Sequence, residues 1–381
     1  MSRKDATAWV VSVCSGSLRK SQVTTLSVLV AATLSAMRLS LAGIGREMAA
    51  QHNGAAKYGI KRVYRFLSNA AVEPVEVMPA VMTRLMRRHL KRHAKRPDRR
   101  PVLVSLDWTK VRRYHVLMAA MVVDGRALPL CWESYADKVQ SKSQNALEEA
   151  MLLKVRSALP PGVRIVVMAD RGFGRASLIE VCQRLQLDYL IRINAKVHVK
   201  TRRGSGRLDL FPVKRGTCRG FKDATYRSDG VVTTNLVIRW KTGLPRDKDQ
   251  PWYLATSLPL GNKTANRRIS DLYKLRFDIE ELFRDAKNEH LGWSLAKTRI
   301  TRADRLDRLI LVAALAYVLL VAAGLWCRKH LDPRLWCTNR RKRELSAFAI
   351  ARVMLDRIRQ PWRPLVEALL ANLATTEGNW G

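Results

Sequence analysis

Between Leu309 and Trp326 the chain reads LILVAALAYVLLVAAGLW, 18 residues without a single charge. A run like this can be satisfied in two ways: by a bilayer, or by a protein core broad enough to surround a helix on all sides. About 18 residues is the lower limit for spanning the hydrocarbon layer. The run is rich in alanine and follows directly on the charged TRADRLDR. It is the only one of its kind after residue 40, and the N-terminal VLVAATLSAM is too short to span. A fully buried core helix is the expected outcome, with no membrane partner, and a spanning helix is the alternative. With 381 residues the chain has room for two or three domains with cores of that size.

The surface makes a second demand. Sixty-nine Lys and Arg against 32 Asp and Glu leave a formal charge of +37, in a chain that is 47% hydrophobic and 27% charged. That hydrophobic content belongs to folded proteins and excludes a disordered polyelectrolyte. So large a surplus repels itself unless a polyanion shares the surface, and nucleic acid is the expected partner. Cys14, Cys131, Cys182, Cys218, Cys327 and Cys337 are scattered without C-x-x-C spacing. Neither a zinc site nor a disulfide framework is expected, which suits a reducing cytoplasm. The opening MSRKDATAWVVSVCSGS has only a short apolar run, so no signal peptide is expected.

Residues 1–75 read as a small helical, DNA-binding domain made of SQVTTLSVLVAATLSAM, SLAGIGREMAAQ and AAKYGIKRVYRFLSNAAVEP, the last ending near Pro74. In that last segment Lys57, Lys61, Arg62 and Arg65 recur at helical spacing and form a basic face. A solvated face explains the same pattern. Residues 76–100 read as a basic helix and linker. Their core is MTRLMRRHLKRHAKRPDRR, with nine cations and one acid, suited to contacting a phosphate backbone.

At Pro101 the pattern changes to PVLVSLDWTK, YHVLMAAMVVDG and RALPLCWESY, three strands with Asp-Gly turning the last two. Helix SQNALEEAMLLKVRSAL, strand GVRIVVMADRGF, helix ASLIEVCQRLQ and strand DYLIRINAK follow. A three-strand meander and then helix-strand-helix-strand is the order of a ribonuclease H-like α/β domain. The boundaries expected are a core over 101–196, a β-rich insertion over 197–260, the core resumed over 261–330 and a helical C-terminal region over 331–381.

Three acids stand out. Asp107 sits inside the first strand between apolar neighbours, where an unpaired charge costs several kcal/mol, so it needs a cation or a metal. Asp170 ends the fourth strand just before a Gly-containing loop. In the expected topology those two strands are neighbours, so both carboxylates would lie side by side and either share a proton or bind a divalent cation. The third is Glu280, in DLYKLRFDIEELFRDAKNEHLGW. On a helix projection Tyr273, Arg276, Glu280 and Lys287 fall within roughly 60° with Arg284 beside them, while Leu275, Ile279, Leu282 and Ala286 form the opposite face. The bland explanation is i,i+4 ion pairing, worth a few tenths of a kcal/mol per pair.

The spacing Tyr273-x2-Arg276-x3-Glu280-x6-Lys287, with DWT around Asp107, ADRGF around Asp170 and LIRINAK after it, resembles the bacterial DDE transposases of the insertion sequence four family. The resemblance covers roughly residues 55–325. It implies that Asp107, Asp170 and Glu280 are catalytic and hold two Mg²⁺ ions about 4 Å apart, replaceable by Mn²⁺. It further implies cleavage at transposon ends, a hairpin intermediate and joining of the 3′-ends to target DNA, by a nucleoid-associated cytoplasmic homodimer on double-stranded DNA. Tyr273, Arg276 and Lys287 match residues that grip phosphates beside a flipped base, Trp252 the tryptophan on which it stacks, and Arg192 a DNA-contacting arginine. Phe277 departs from the tryptophan of many relatives. Two alternatives of other classes are a DNA-binding relative without catalysis and a ribonuclease H-like nuclease that cuts without joining.

Overall fold

The computed structural model describes all residues except 1, 52, 93–100, 137–140, 244–249, 290–292, 339–344 and 374–381. The backbone is organised around one ten-stranded mixed sheet in the order β3-β2-β1-β4-β5-β10-β9-β8-β6-β7. Strands β1 (Val102–Val111), β2 (Tyr114–Val123) and β3 (Arg126–Ala136) form the antiparallel meander. Asp124 and Gly125, with φ of 36° and 79°, make the two-residue turn between the last two. Two successive positive φ values match the strand twist, which is why Asp-Gly suits this position.

Helix α1 (Arg3–Cys14) precedes α2 (Lys20–Ala36), α3 (Leu41–Ala50), α4 (Ala56–Leu67) and α5 (Pro74–Arg92) on the N-terminal side. After the meander come α6 (Ser141–Ala158), β4 (Ile165–Ala169), α7 (Ala176–Arg184) and β5 (Asp188–Arg192), with β1, β4 and β5 parallel. β4 is buried at every position, as a central parallel strand covered on both faces must be. The β-rich stretch then supplies β6 (His198–Thr201), β7 (Gly204–Arg207), β8 (Cys218–Arg227), β9 (Val231–Arg239) and β10 (Trp252–Thr256). β10 pairs antiparallel with β5, Ala255 opposite Ile191, so this stretch continues the central sheet. Helices α8 (Lys263–Leu272), α9 (Asp278–Lys287), α10 (Ala303–His330), α11 (Ala347–Met354) and α12 (Trp362–Leu373) complete the chain.

The apolar run lies in α10. Its composition would allow it to cross a membrane, yet its most apolar 18-residue window is 94% buried inside the protein. β3, α2, α11 and α12 surround it. Contact with α11 is close enough that a Cβ at Gly324 would lie 1.8 Å from the Ala347 carbonyl oxygen, so only glycine fits there.

Three local readings of the sequence need correction. α1 was not foreseen; a capping box between Ser2 and Asp5 starts it, and it buries Trp9, Val10 and Val13. α4 stops at Leu67, before Pro74. Pro74 instead begins α5, at a position where proline's missing N–H costs nothing. The basic helix expected from Met82 is therefore the second half of a longer helix whose Val77, Met78, Val81 and Met82 are buried, and the linker at 93–100 lies outside the described residues.

α4 is fixed from both ends. A Cβ on Gly59 would come within 2.0 Å of the Gly45 carbonyl oxygen, so α3 and α4 cross in backbone contact. Arg308 of α10, 3% exposed, donates to the carbonyls of Leu67 and Val72 and pairs with Asp304 at 2.8 Å. The basic helix is thereby tied to the core helix.

Candidate active site

Parallel pairing of β1 with β4 places Leu106 opposite Ala169, and the next residue of each strand is an aspartate, Asp107 and Asp170. Neighbouring strands lie about 4.8 Å apart, so the two acids stand side by side where β4 ends and β1 runs on to Val111. The Asp107 carboxylate accepts from the Trp108 backbone N–H at 2.8 Å. Asp170 caps the short 3₁₀ turn Arg171–Phe173 by accepting from the Gly172 N–H at 2.8 Å.

The segment expected to be one helix is two. Tyr273–Phe277 forms a 3₁₀ turn that leads into α9, and α9 packs across β1, β2 and β3. Ile279 and Leu282 are buried against the sheet, as the helix projection required, and Leu275 and Ala286 are half-buried. Opposite them Arg276, only 6% exposed, joins two of the acids: it is 3.4 Å from Asp107 and also donates to Glu280. Asp107 therefore has the cation its position demanded. Burial still dominates, lifting its carboxyl from 3.8 to about 6; Arg276 opposes the shift, while the charges of Asp170 and Glu280 add to it. Asp107 is thus the centre of a charged cluster in which it feels both other acids. Lys287 belongs to it as well, its ammonium pulled down by burial and supported by Asp107.

Two expectations change. Tyr273 lies under the site, 1% exposed, with its hydroxyl donating to the Ala169 carbonyl at 3.3 Å and burial pushing it up to about 12. The tighter 3₁₀ turn rotates it inward, away from the exposed face that a continuous α-helix would have given it. Arg284 is 67% exposed and pairs with Glu281 at 2.7 Å, so it stands apart from the acids.

The remaining site candidates divide between two places. Trp252, half-buried at the start of β10, packs edge-on against Tyr273 with ring centroids 5.3 Å apart and lies 6.3 Å from Phe277. The Lys241 ammonium sits 3.4 Å from its ring centroid; burial and the nearby Lys274 lower Lys241 to about 8. Arg192 pairs across β5 and β10 with Leu254 and lies near enough to Tyr273 for its charge to favour the phenolate. Lys61, Arg62 and Arg65 are elsewhere, all exposed on α4. Tyr58 and Tyr64, 63% and 47% exposed, lie among them, an aromatic interleaving that the reading of Lys57 to Arg65 as a basic face left out.

Among the described residues no three Asp, Glu, His or Cys side chains converge closely enough to enclose a metal ion. Arg276 stands between Asp107 and Glu280 as their counter-charge. The donor set itself is all carboxylate oxygen, the chemistry that suits a hard divalent cation, and Glu280, paired with Arg276, is 47% exposed. In donor chemistry Asp107, Asp170 and Glu280 suit such an ion, while their present arrangement, with Arg276 between two of them, does not enclose one.

On its reverse side α9 carries a second charged group. Arg126 lies 2.7 Å from Asp285 and 3.5 Å from Glu281, and the Tyr317 hydroxyl donates to Asp285 at 2.8 Å. Burial raises Asp278 to about 7 and Asp285 to about 6, with Arg126 opposing both shifts.

A mixed α/β sheet bearing one acid within a strand and a second just past the end of the parallel neighbour, with a third on a packed helix, defines a carboxylate-centred α/β protein. Its family follows from comparison with known proteins: the family model described as "Transposase DDE domain" matches residues 86–319, more than half of the chain, and the chain belongs to that family. It is a transposase, with DNA as the partner its family implies, and domains of this kind generally use divalent metal ions. The matched span contains all three acids and ends short of α4 on its N-terminal side. Comparison with curated proteins gives no match.

Proposed function

We propose that the chain is the transposase of an insertion sequence of the insertion sequence four family, built on a ribonuclease H-like core. In this reading Asp107, Asp170 and Glu280 are the catalytic acids and hold two Mg²⁺ ions, or Mn²⁺ in their place. The observation that carries it is the register that sets Asp107 beside Asp170, with Arg276 tying Glu280 to the first of them. Bound there, divalent ions would supply the charge that stabilises attacking and leaving oxygens in phosphodiester exchange.

The chain's own residues do the rest. Lys61, Arg62 and Arg65 engage the terminal inverted repeat on double-stranded DNA, Lys and Arg contacts that position the duplex. Arg276, released from the acids, can grip a phosphate with two parallel N–H groups, and Lys287 adds a point charge beside Asp107. Tyr273 props the end of β4 through the Ala169 carbonyl, and its phenol reaches a phosphate only if that bond opens. Trp252 offers a ring to an extruded base once Lys241 leaves its face, and Arg192 stands nearby on β5. Water releases a 3′-hydroxyl, which attacks the opposite strand to form a hairpin. The hairpin is reopened and the freed 3′-end joins target DNA. The protein acts in the bacterial cytoplasm as a homodimer pairing two ends. A DNA-binding relative without catalysis is disfavoured because all three acids and the Tyr-Arg-Glu-Lys spacing are present.

The test uses the full chain, Mg²⁺ and duplexes ending in the inverted repeats that flank its reading frame. Cleaved, hairpinned and target-joined products are expected, and Asp107→Asn or Asp170→Asn should abolish them while leaving repeat binding in place. Cleavage without joining would instead assign the chain to the nucleases. Full activity in both variants would remove the acids from the reaction.

A further inference from the structure

Glu148 is an acid buried in α6, only 1% exposed. A carboxylate that deep persists only when its oxygens are well paired, and here they are. One oxygen accepts from the Trp108 indole N–H at 2.7 Å and from the Gln144 side-chain amide at 3.2 Å. The other pairs with Arg175 at 2.6 Å. Trp108 directly follows Asp107 in β1. Arg175 closes the short loop that begins with Asp170. A single buried anion therefore holds the two chain segments that carry the two aspartates.

Both connections run on to the acids. The Trp108 backbone N–H donates to Asp107 while its indole is bound to Glu148, so the position of the indole fixes the peptide that orients the carboxylate. On the other side the loop after Asp170 has no slack. The Gly174 carbonyl accepts from the Tyr226 hydroxyl at 2.6 Å, and a Cβ on Gly174 would lie 2.7 Å from the Arg192 carbonyl oxygen. Arg175 Nε and Nη2 are buried with no hydrogen-bond partner, so Glu148 is the anion that justifies a guanidinium there.

We propose that Glu148 is a positioning residue for divalent-cation binding, setting the spacing of Asp107 and Asp170 through Trp108 and Arg175. It touches neither DNA nor the reacting atoms. The inference rests on the assignment of Asp107 and Asp170 as the metal-holding acids. Supporting partners behind metal ligands commonly govern affinity by about 10- to 100-fold.

The experiment titrates the full-length protein with Mn²⁺ and follows the free ion by electron paramagnetic resonance, alongside binding of inverted-repeat DNA. Glu148→Gln keeps the shape, removes the charge and should weaken Mn²⁺ binding by about 10- to 100-fold with DNA binding unchanged. Trp108→Phe, which cuts one connection only, should shift it in the same direction by less. Glu148→Gln combined with Trp108→Phe should add less than the two shifts together, because both act along one path. Unchanged Mn²⁺ affinity in folded Glu148→Gln overturns the proposal. Should that variant fail to fold, unchanged affinity in Trp108→Phe does so. Asp107→Asn and Asp170→Asn separate the two levels. If both retain wild-type Mn²⁺ binding, the acid assignment itself fails. If both lose it while the Glu148 and Trp108 variants match wild type, only this inference fails.

Discussion

The two faces of α9 each gather carboxylates around one arginine, and they are built for opposite ends. On the rear face Arg126, Asp285 and Tyr317 form a largely enclosed set, with the Arg126 and Asp285 side chains only 10% and 11% exposed and Glu281, 28% exposed, at its edge. On the front face Arg276 is as deeply buried, but the acids it joins open outward to Glu280, which is 47% exposed. A set enclosed to that degree holds the helix against β3 and α10. An open set has acid capacity to spare when its arginine is drawn away. Burial of the cation is common to both; the 47% exposure of Glu280 sets the front face apart, and the proposed chemistry depends on it.

The largest effect that probes this contrast is Glu280→Gln. Cleavage of inverted-repeat DNA should fall by roughly a thousandfold or more, while the thermal midpoint moves little, since a half-exposed ion pair is worth about 0–1 kcal/mol. Normal cleavage in that variant would end the distinction between the faces. Arg126→Met should do the reverse. Stripping the cation from buried Asp285 and Asp278 costs about 3–5 kcal/mol, read as a lower midpoint for chemical denaturation, with residual activity following the folded fraction.

The pH response is the next in size. The Asp107 carboxyl is raised from 3.8 to about 6, and Asp278 and Asp285 to about 7 and about 6. Each is a carboxyl whose folded-state value lies above its unfolded one, so the fold favours the protonated form. Their stabilising contribution is complete below about pH 4 and is lost as pH rises through about 6 to 7. Divalent ions need Asp107 ionised, so the gain in melting temperature on adding Mg²⁺ should be small at pH 5 and full at pH 8. A gain independent of pH would place the ion away from Asp107. The smallest effect concerns the aromatic corner. Trp252→Ala should impair hairpin formation more than the first nick, and Lys241→Ala should leave hairpinning intact or improve it, as gel separation of the two products would record. Equal loss at both steps in Trp252→Ala would make the ring a structural one.

How much of this could be read from the chain depended on how far apart the partners lie. The burial of α10 and the meander follow from patterns within or between adjacent elements, the Asp107–Asp170 neighbourhood from the strand order expected of the topology, and all three appear in the fold. The 3₁₀ turn at Tyr273–Phe277 was not legible, because nothing in YKLRF breaks a helix; the packing of Tyr273 under β4 decides it. Arg284 looked like a partner for Glu280 at i,i+4 spacing, but Glu281 at i,i+3 took it. Glu148 was invisible for a simpler reason: in NALEEA it looks like any surface acid, and only Trp108 and Arg175, far along the chain, reveal its burial. The pairing of β10 with β5, which makes the β-rich stretch part of the central sheet, is likewise a long-range contact.

The most direct test of the central claim, that Asp107, Asp170 and Glu280 form one cation site, is anomalous diffraction from crystals of the full chain with inverted-repeat DNA and Mn²⁺. The account predicts anomalous peaks bonded to the carboxylates of Asp107 and Asp170, with Glu280 turned toward them and Arg276 withdrawn to a DNA phosphate. Peaks elsewhere, or Arg276 still bridging Asp107 and Glu280 in a DNA complex that holds Mn²⁺, would contradict it.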